Sequence, residues 1–252
     1  MGDTSDIAPL RGYAICGDAR CGSIFLCHLL RSTGVLGRPS EFFHDARVAR
    51  AVVRDPEAVL GRLAPEAATP NGVYGLKVFA PHFDQVVAAR WAERLPRLGF
   101  VFLTRRDLLG QALSLVRALQ SGQYKSDQPR QGEPRYDGAA IADSLARLAY
   151  GQARWQSWFA RNGIEPLRLV YEDVVAAPQA AVDAVAKLVG VEELARADLS
   201  QIEVRVQRDA LTEAWRERFV RERGDRAYLY GGRLFSRFRR GGACARLFLG
   251  PR

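Results

Sequence analysis

The sequence predicts an α/β protein, a three-layer sandwich around a mostly parallel central sheet. Strand-like apolar runs alternate with helical patterns along the chain, as in folds built from β-α-β units. The clearest run, residues 99–104, is apolar without alternation, which is typical of a strand buried on both faces. We expect one domain over residues 1–232, followed by a basic, aromatic tail over residues 233–252.

The first strand and helix enclose a glycine-bearing turn. Tyr13 to Cys16 form a short apolar run, Gly17 to Ser23 form a small polar turn, and a helical pattern continues to Leu30. This order makes the predicted fold P-loop-like, because backbone amides and the helix dipole would converge on an anion. The spacing is close to G-x-x-x-x-G-K-[ST], but the lysine is missing and Arg20 is the nearest cation. The loop therefore favours a nucleotide other than a magnesium-bound triphosphate.

The remaining elements follow in order. Helices are predicted over residues 45–65, 83–93, 107–119, 138–162 and 178–189, and strands over residues 73–79, 99–104 and 167–171. Residues 122–137 are rich in glycine, glutamine, proline and charge, which is typical of a loop that serves as a lid. A last helical run carries Trp215 and Phe219.

Cationic and polar residues cluster where the predicted strands end. Arg20 follows the first strand, Lys77 lies in the second, and Arg105 and Arg106 follow the third. Tyr171 and Glu172, which we interpret as structural, follow the fourth. Ligands of parallel sheets bind beyond the carboxyl ends of the strands. The sequence therefore predicts one anion-binding active site at this edge.

The composition is that of an ordinary globular protein with a basic excess. The 252 residues are 48% hydrophobic and 26% charged, and 37 Lys and Arg against 28 Asp and Glu give a net charge of +9. Such a charge suits nucleic acid, an anionic membrane, or a phosphorylated or sulfated small molecule. Four cysteines without C-x-x-C spacing predict reduced thiols and no metal site. No stretch has transmembrane length and no apolar signal core opens the chain, so we expect a soluble, cytoplasmic protein.

Taken together, these segments resemble the sulfotransferases, and most closely the bacterial trehalose 2-sulfotransferase (Stf0-type) family. The resemblance runs to about residue 220. It rests on residues 18–23, 37–43, 72–77, 104–107, 111–114, 117–118, 155, 158–159, 171–174 and 178, in that order and spacing.

The resemblance implies transfer of a sulfuryl group from 3′-phosphoadenosine 5′-phosphosulfate to a hydroxyl of a carbohydrate or glycolipid, without a metal. Such a transfer chiefly needs in-line positioning and cations on the nonbridging and leaving oxygens. Since the donor carries no triphosphate, a loop with Arg20 and Ser23 but no lysine fits the demand.

The loop residues are assigned to the 5′-phosphosulfate. Arg20, which also assists catalysis, Gly22 and Ser23 would cradle this group; the alternative is a tight glycine turn capped by Ser23. Cys21 and Ile24 belong to the same loop, where the family usually has Ser and Thr. These two substitutions remove two hydroxyls from the predicted phosphate site.

A second anion site is predicted for the 3′-phosphate. The resemblance implies that Arg105 or Arg106 grips it with Ser114, the other arginine being a surface cation. The interval of eight residues favours Arg106, whereas the position at the strand end favours Arg105. In the family a basic segment near Arg208 closes over the nucleotide; a solvated run of charges is the alternative here.

Glu41 is the predicted general base. It precedes Phe42 and Phe43, two aromatic side chains expected to desolvate it and raise its proton affinity. The alternatives are a carboxylate paired with Arg38 and a rival base, His44. Lys77 lies in an apolar strand where an unpaired charge would be costly to bury, so we expect it to face the site and stabilise the leaving oxygen or the acceptor.

The sequence also indicates which partners the protein has. The family resemblance favours a homodimer, and the tail is either disordered or in contact with the anionic inner face of the membrane.

A P-loop kinase is the enzymatic alternative, against which the missing loop lysine counts. A non-catalytic protein that binds anions, nucleic acid or membrane is the other, and nucleic acid is not favoured.

Overall fold

The computed structural model describes residues 9–124, 128–129, 131–191, 195–202 and 209–224. The strands are β1 (Arg11–Gly17), β2 (Val73–Phe79), β3 (Leu98–Thr104) and β4 (Leu167–Val170). The helices are α1 (Ser23–Ser32), α2 (Ala46–Arg54), α3 (Pro56–Glu66), α4 (Ala80–Val86), α5 (Trp91–Arg94), α6 (Leu108–Ser121), α7 (Gly138–Arg161), α8 (Tyr171–Ala176), α9 (Pro178–Val189) and α10 (Ala210–Arg223). The predicted tail, residues 233–252, lies outside the described residues.

The four strands form one sheet in the order β2-β1-β3-β4, and every pair is parallel. Cys16 of β1 stands opposite Val78 of β2 and Phe102 of β3. This register brings the carboxyl ends of the three strands to one edge, about 4.8 Å apart from strand to strand. The segments that follow these strands are therefore neighbours in space.

Both faces of the sheet are covered. In β1, Tyr13 and Ile15 pack into a core formed with α1, α8 and α9, whereas Ala14 and Cys16 pack into a core formed with α2 to α5 and α7. All four side chains are fully buried. Because successive side chains of a strand point to opposite faces, a strand with a core on each side reads as a continuous apolar run. The predicted three-layer α/β sandwich with a parallel sheet is confirmed.

The last described helix, α10, packs on the outer helices rather than on the sheet. Trp215 and Phe219 are buried against Leu113 and Val116 of α6 and Ile141 of α7. Within the ranges that the structure describes, no helix is both long enough and apolar enough to cross a bilayer.

Two boundaries differ from the prediction. The helix predicted over residues 83–93 is split into α4, a short 3-10 turn and α5. It begins earlier because proline is well tolerated in the first helical turn, where Pro81 lies. It breaks at Arg90, whose φ is 50°. The fourth strand ends at Val170, and Tyr171 already begins α8.

Candidate active site

The turn after β1 presents an open helix N-terminus. Arg20 and Gly22 have positive φ values of 64° and 90°. Gly22 is the N-cap of α1 and, as a glycine, provides no side-chain cap for the first amides of that helix. These amides, together with the positive end of the helix dipole, form the kind of site that binds a phosphate or sulfate.

Only glycine fits at position 22. A Cβ atom built there would lie 2.0 Å from the Tyr171 ring, and the positive φ strains any other residue. The contact also places Tyr171, the first residue of α8, against the mouth of the loop. The tyrosine therefore has a place in the site, although its sequence position indicated only a structural role.

The Arg20 side chain crosses from the loop to α6. Its Nε donates to Ser114 Oγ at 2.8 Å, and its Nη1 donates to the carbonyl oxygen of Tyr124. Arg105 Nη1 lies 3.5 Å from the carbonyl oxygen of Arg20. Burial and the neighbouring Arg105 lower the pKa of Arg20 from its ordinary value. The structure thus brings together the predicted residues Arg20 and Ser114 and gathers two cations beside the loop.

Arg105, rather than Arg106, belongs to this group. The Arg105 side chain is 11% exposed and lies over the Tyr171 ring, 5.4 Å from its centroid. Its carboxylate neighbours Asp107 and Glu172 are 3.9 and 3.8 Å away, and its buried Nε has no hydrogen-bond partner within the described part of the chain. A cation so loosely paired suits an incoming anion.

Arg106 takes the other direction. Its side chain is 61% exposed and contacts Asp173 at 2.8 Å. The backbone amides of Arg106 and Asp107 both donate to the Glu172 carboxylate, which fixes the chain as it leaves β3. The eight-residue interval favoured Arg106, but the Arg106 side chain does not lie beside the loop. Arg105, which the position at the strand end favoured, does lie there.

The other predicted loop residues, Cys21, Ser23 and Ile24, differ in burial. Cys21 is buried in the core, where burial raises the pKa of its thiol. Ser23 is 3% exposed and Ile24 is half-buried. The donors available at the mouth are thus backbone amides and arginine side chains. Arg208 lies outside the described residues.

A second polar cluster, which we call the Glu41 cluster, consists of Glu41, His44, Lys77 and His82. Glu41 Oε2 lies 2.6 Å from Lys77 Nζ, and Glu41 Oε1 lies 3.2 Å from His82 Nδ1. The Lys77 ammonium also lies 4.9 Å from the centre of the Phe79 ring. The buried lysine is thus paired, and its partner is the predicted base.

Main-chain contacts hold this cluster at the edge of the sheet. Lys77 N donates to Ser40 O at 2.8 Å, so the residue before Glu41 pairs with β2. The cationic partner of Glu41 is Lys77, where the sequence also allowed Arg38. Phe43 is buried against Trp91 in the core, so the carboxylate is surrounded by polar groups rather than by the two phenylalanines.

Sequence reasoning missed His82, which lies in the first turn of α4. Burial lowers the pKa of this imidazole, outweighing the opposite influence of Glu41, so it is neutral at pH 7. Its ring stacks on Phe79 at 5.9 Å and meets His44 edge-on at 5.4 Å. Lys77 was identified as a polar residue near the carboxyl end of β2. The same criterion, extended to the residues that directly follow this strand, also identifies His82.

The loop and the Glu41 cluster are adjacent. Gly17, the last residue of β1, stands opposite Phe79, the last residue of β2. Cys27 of α1 is buried nearby, and the charges of Lys77 and Glu41 both influence the pKa of its thiol. Burial, the largest influence, raises the pKa of this thiol to about 11, so the cysteine is a protonated core residue rather than a nucleophile.

Asp18 is a buried carboxyl group within the loop. It is 7% exposed, and among the described residues its Oδ2 atom has no hydrogen-bond partner. A Cβ atom at Gly151 of α7 would lie 2.2 Å from that oxygen, so the two segments are in close contact. Burial raises the pKa of Asp18 to about 7, against the opposing influence of Arg147 and Arg154.

Comparison with known proteins assigns the chain to a family. Residues 12–222 match the model of the Stf0 sulphotransferase family. The chain is 28% identical to the trehalose 2-sulfotransferase of Mycobacterium tuberculosis (strain ATCC 35801 / TMC 107 / Erdman), the match covering 64% of this chain and 78% of that protein. It is 27% identical to the trehalose 2-sulfotransferase of Mycolicibacterium smegmatis (strain ATCC 700084 / mc(2)155), with 63% and 76% covered.

Solved structures of sulfotransferase domains are also similar. The domain from the Synechococcus PCC 7002 olefin synthase has a TM-score of 0.41 and 15% identity, covering 86% of this chain and 91% of that one. The domain from the curacin biosynthetic pathway has a TM-score of 0.43 and 11% identity, covering 84% and 98%. The family match spans most of the residues described above, the anion loop and the Glu41 cluster included. The chain therefore belongs to the Stf0 sulphotransferase family.

Proposed function

We propose that this sulfotransferase takes 3′-phosphoadenosine 5′-phosphosulfate as donor and sulfates a hydroxyl group of a carbohydrate, with Glu41 as general base. The observation that carries the proposal is the position of the Glu41–Lys77 pair, at 2.6 Å, one strand away from an anion loop flanked by two half-buried arginines. A base and an electrophile-binding site at neighbouring strand ends are what a transfer between two bound substrates needs.

On the donor side, the open amides at Gly22 and the Arg20 side chain are suited to the 5′-phosphosulfate. Arg105 and Ser114 are suited to the second anion, the 3′-phosphate. Ser114 already accepts from Arg20, and Arg105 has only distant carboxylate neighbours. Charge-assisted hydrogen bonds from guanidinium groups to such oxygens are among the strong ones.

On the acceptor side, Glu41 removes the proton of the attacking hydroxyl. The hydroxyl oxygen forms a bond to sulfur while the bond between sulfur and the 5′-phosphate oxygen breaks. The products are a sulfate ester and 3′-phosphoadenosine 5′-phosphate, with the proton on Glu41. Lys77 holds the carboxylate in position before the reaction, and offers a positive charge to the oxygens on which negative charge develops.

A carbohydrate acceptor is supported by the relatives named trehalose 2-sulfotransferase. A neutral sugar also suits the polar, aromatic surroundings of Glu41, where His82 and Phe79 stack on each other. Trehalose is therefore the first acceptor to test. A homodimer, and a membrane contact through residues 233–252, stay predictions.

The direct test follows release of 3′-phosphoadenosine 5′-phosphate from the donor in the presence of trehalose and other sugars. The Glu41→Gln variant is expected to lower kcat by about 10²- to 10⁴-fold, the usual contribution of a general base. Its affinity for 3′-phosphoadenosine 5′-phosphate should stay within twofold of the wild type. Glu66→Gln, an exposed position on α3, is the matched control and should turn over normally. Undiminished turnover in Glu41→Gln contradicts the assignment of the base.

The donor site is tested by a pair of neighbouring arginines. Arg105→Ala should weaken binding of 3′-phosphoadenosine 5′-phosphate by about tenfold to a hundredfold, the cost of losing a hydrogen bond to a charged group. Arg106→Ala, which removes only the surface contact with Asp173, should leave the affinity unchanged. The reverse order of effects, measured by isothermal titration calorimetry, would assign the site to Arg106.

A further inference from the structure

Three side chains of the Glu41 cluster are arranged as a set of metal ligands. Glu41, His44 and His82 each offer a donor atom, and these atoms all lie within 4.8 Å of one another. Glu41 begins the 3-10 turn Phe42–His44, and His44 N donates to Glu41 O at 3.2 Å. Residues three apart in a 3-10 turn project on the same side. His82 comes from α4 and closes the set from across.

The closest pair has the spacing of a coordination polyhedron. Two ligands at about 2.05 Å from a tetrahedral zinc ion are separated by about 3.3 Å. His82 Nδ1 and Glu41 Oε1 are 3.2 Å apart, and the buried Nδ1 atom makes no hydrogen bond to any residue that the structure describes. A shared ion would satisfy both atoms at once. His44 is exposed, so a rotation of its side chain is enough to bring its nitrogen to the same ion.

The chemistry of the donors selects the kind of ion. Two imidazoles and one carboxylate suit the first-row transition metals, zinc and cobalt among them, rather than magnesium or calcium, which prefer oxygen ligands. Lys77 holds the other carboxylate oxygen, Oε2, at 2.6 Å and so leaves Oε1 to the ion. The lysine charge also opposes the charge of the metal, so the ion binds reversibly.

We propose that Glu41, His44 and His82 form an inhibitory binding site for a divalent transition-metal ion such as Zn²⁺. The inhibition, though not the binding, rests on the proposed role of Glu41. An ion on Oε1 occupies the lone pair that would accept the acceptor proton, and it stands where the acceptor hydroxyl must approach. The site is thus a switch by which the metal ion silences sulfuryl transfer without a role in the reaction itself.

Metal binding is measured first, without donor or acceptor. Untagged Cys244→Ser protein, freed of metal by dialysis against a chelator, is titrated with Co²⁺ and followed by its visible absorption. This background removes the cysteine outside the described residues; the other three thiols are buried. We expect one Co²⁺ per chain, displaced by Zn²⁺, without a thiolate charge-transfer band.

Histidine variants in the same background test the ligands. His44→Gln and His82→Gln should each weaken Co²⁺ binding by at least about tenfold. His28→Gln, on α1 and not one of the three residues of the ligand set, is the matched control and should bind as the parent does. Lys77→Met should tighten binding by about tenfold, because it removes a like charge beside the ion.

Activity is measured last. Zn²⁺ should inhibit release of 3′-phosphoadenosine 5′-phosphate in the parent and in His28→Gln, with recovery on adding a chelator. In His82→Gln the concentration for half-inhibition should rise by at least about tenfold. Absence of Co²⁺ binding, or Co²⁺ binding unchanged in both His44→Gln and His82→Gln, overturns the site and leaves the cluster as contacts for the acceptor. If the protein shows no turnover, the proposed function fails while the Co²⁺ titration still decides the site.

Discussion

Replacing Asp18 by Asn should stabilise the protein above neutral pH. The carboxyl group is buried against α7, and its Oδ2 atom has no hydrogen-bond partner in the ranges that the structure describes. Burial raises its pKa from 3.8 to about 7. At a pH between these two values the native state therefore holds a proton that the unfolded chain has released. Ionising the buried group in the native state costs stability. An asparagine has almost the same shape and carries no charge at any pH.

The magnitude follows from the two pKa values. A change from 3.8 to about 7 corresponds to about 4 kcal/mol. Because the folded-state pKa is raised, stability is highest below pH 4, falls as the pH rises toward 7, and is level above it. Between pH 5 and pH 8 the wild type should lose about 2.5 kcal/mol through this one group. In a domain of this size that is a change in Tm of about 5–10 °C.

Thermal unfolding at pH 5 and at pH 8, followed by circular dichroism, measures the effect. The Tm of Asp18→Asn relative to the wild type should be about 5–10 °C higher at pH 8 than at pH 5. Asp143→Asn, at an exposed position of α7, the helix against which Asp18 packs, is the control. Its Tm should differ from that of the wild type by the same small amount at both pH values. A difference for Asp18→Asn that does not change with pH would mean that the carboxyl group ionises normally, and the argument from burial would be refuted.

Two further predictions concern the same loop. Gly22→Ala should destabilise the fold by more than about 2 kcal/mol and abolish binding of 3′-phosphoadenosine 5′-phosphate in calorimetry. The reason is that the new Cβ would lie 2.0 Å from the Tyr171 ring, at a φ of 90° that is unfavourable for alanine. Near-normal affinity would show that the ring moves aside freely. Trp155→Phe should cost about 1–3 kcal/mol in urea unfolding, since the buried Gly17 carbonyl loses the indole hydrogen bond of 2.9 Å. A cost below about 0.5 kcal/mol would mean that another donor replaces the indole.

The strands were readable from the sequence because the sheet is buried on both faces. β2 is bounded by Val73 and Phe79, as the apolar run predicted, and α9 begins at Pro178 as expected. The element boundaries that were predicted wrongly each depend on a single residue. Arg90 takes a left-handed conformation that no local pattern announces, and Tyr171 turns directly from β4 into a helix.

The position of the site was also predictable, but not the roles within it. The rule that ligands bind beyond the carboxyl ends of parallel strands placed Arg20, Lys77 and Arg105 correctly at one edge. The choice between Arg105 and Arg106 depends on Glu172, a residue distant in sequence, which accepts hydrogen bonds from the backbone as it leaves β3. No sequence pattern encodes such a contact.

One alternative weighed from the sequence is set aside by the comparison with known proteins. Membership of the Stf0 sulphotransferase family sets aside the kinase interpretation, which the absent loop lysine already disfavoured. The environment of the buried Asp18 carboxyl group could not be predicted from the composition. Its raised pKa arises because Gly151, far along the chain, brings α7 against the loop.

The two halves of the site differ in how their cations are paired, and this difference orients the substrates that we propose. Beside the loop, Arg105 has carboxylate neighbours no nearer than 3.8 Å, so much of its charge remains available to an anion. Across β1, Lys77 is held at 2.6 Å by Glu41, and the two charges largely cancel. A donor with two anionic groups is therefore drawn to the arginines, whereas a neutral sugar meets no unfavourable field beside Glu41. A loop lysine would add little to this division of charge, because Arg20 already brings a guanidinium to the mouth of the loop and to Ser114.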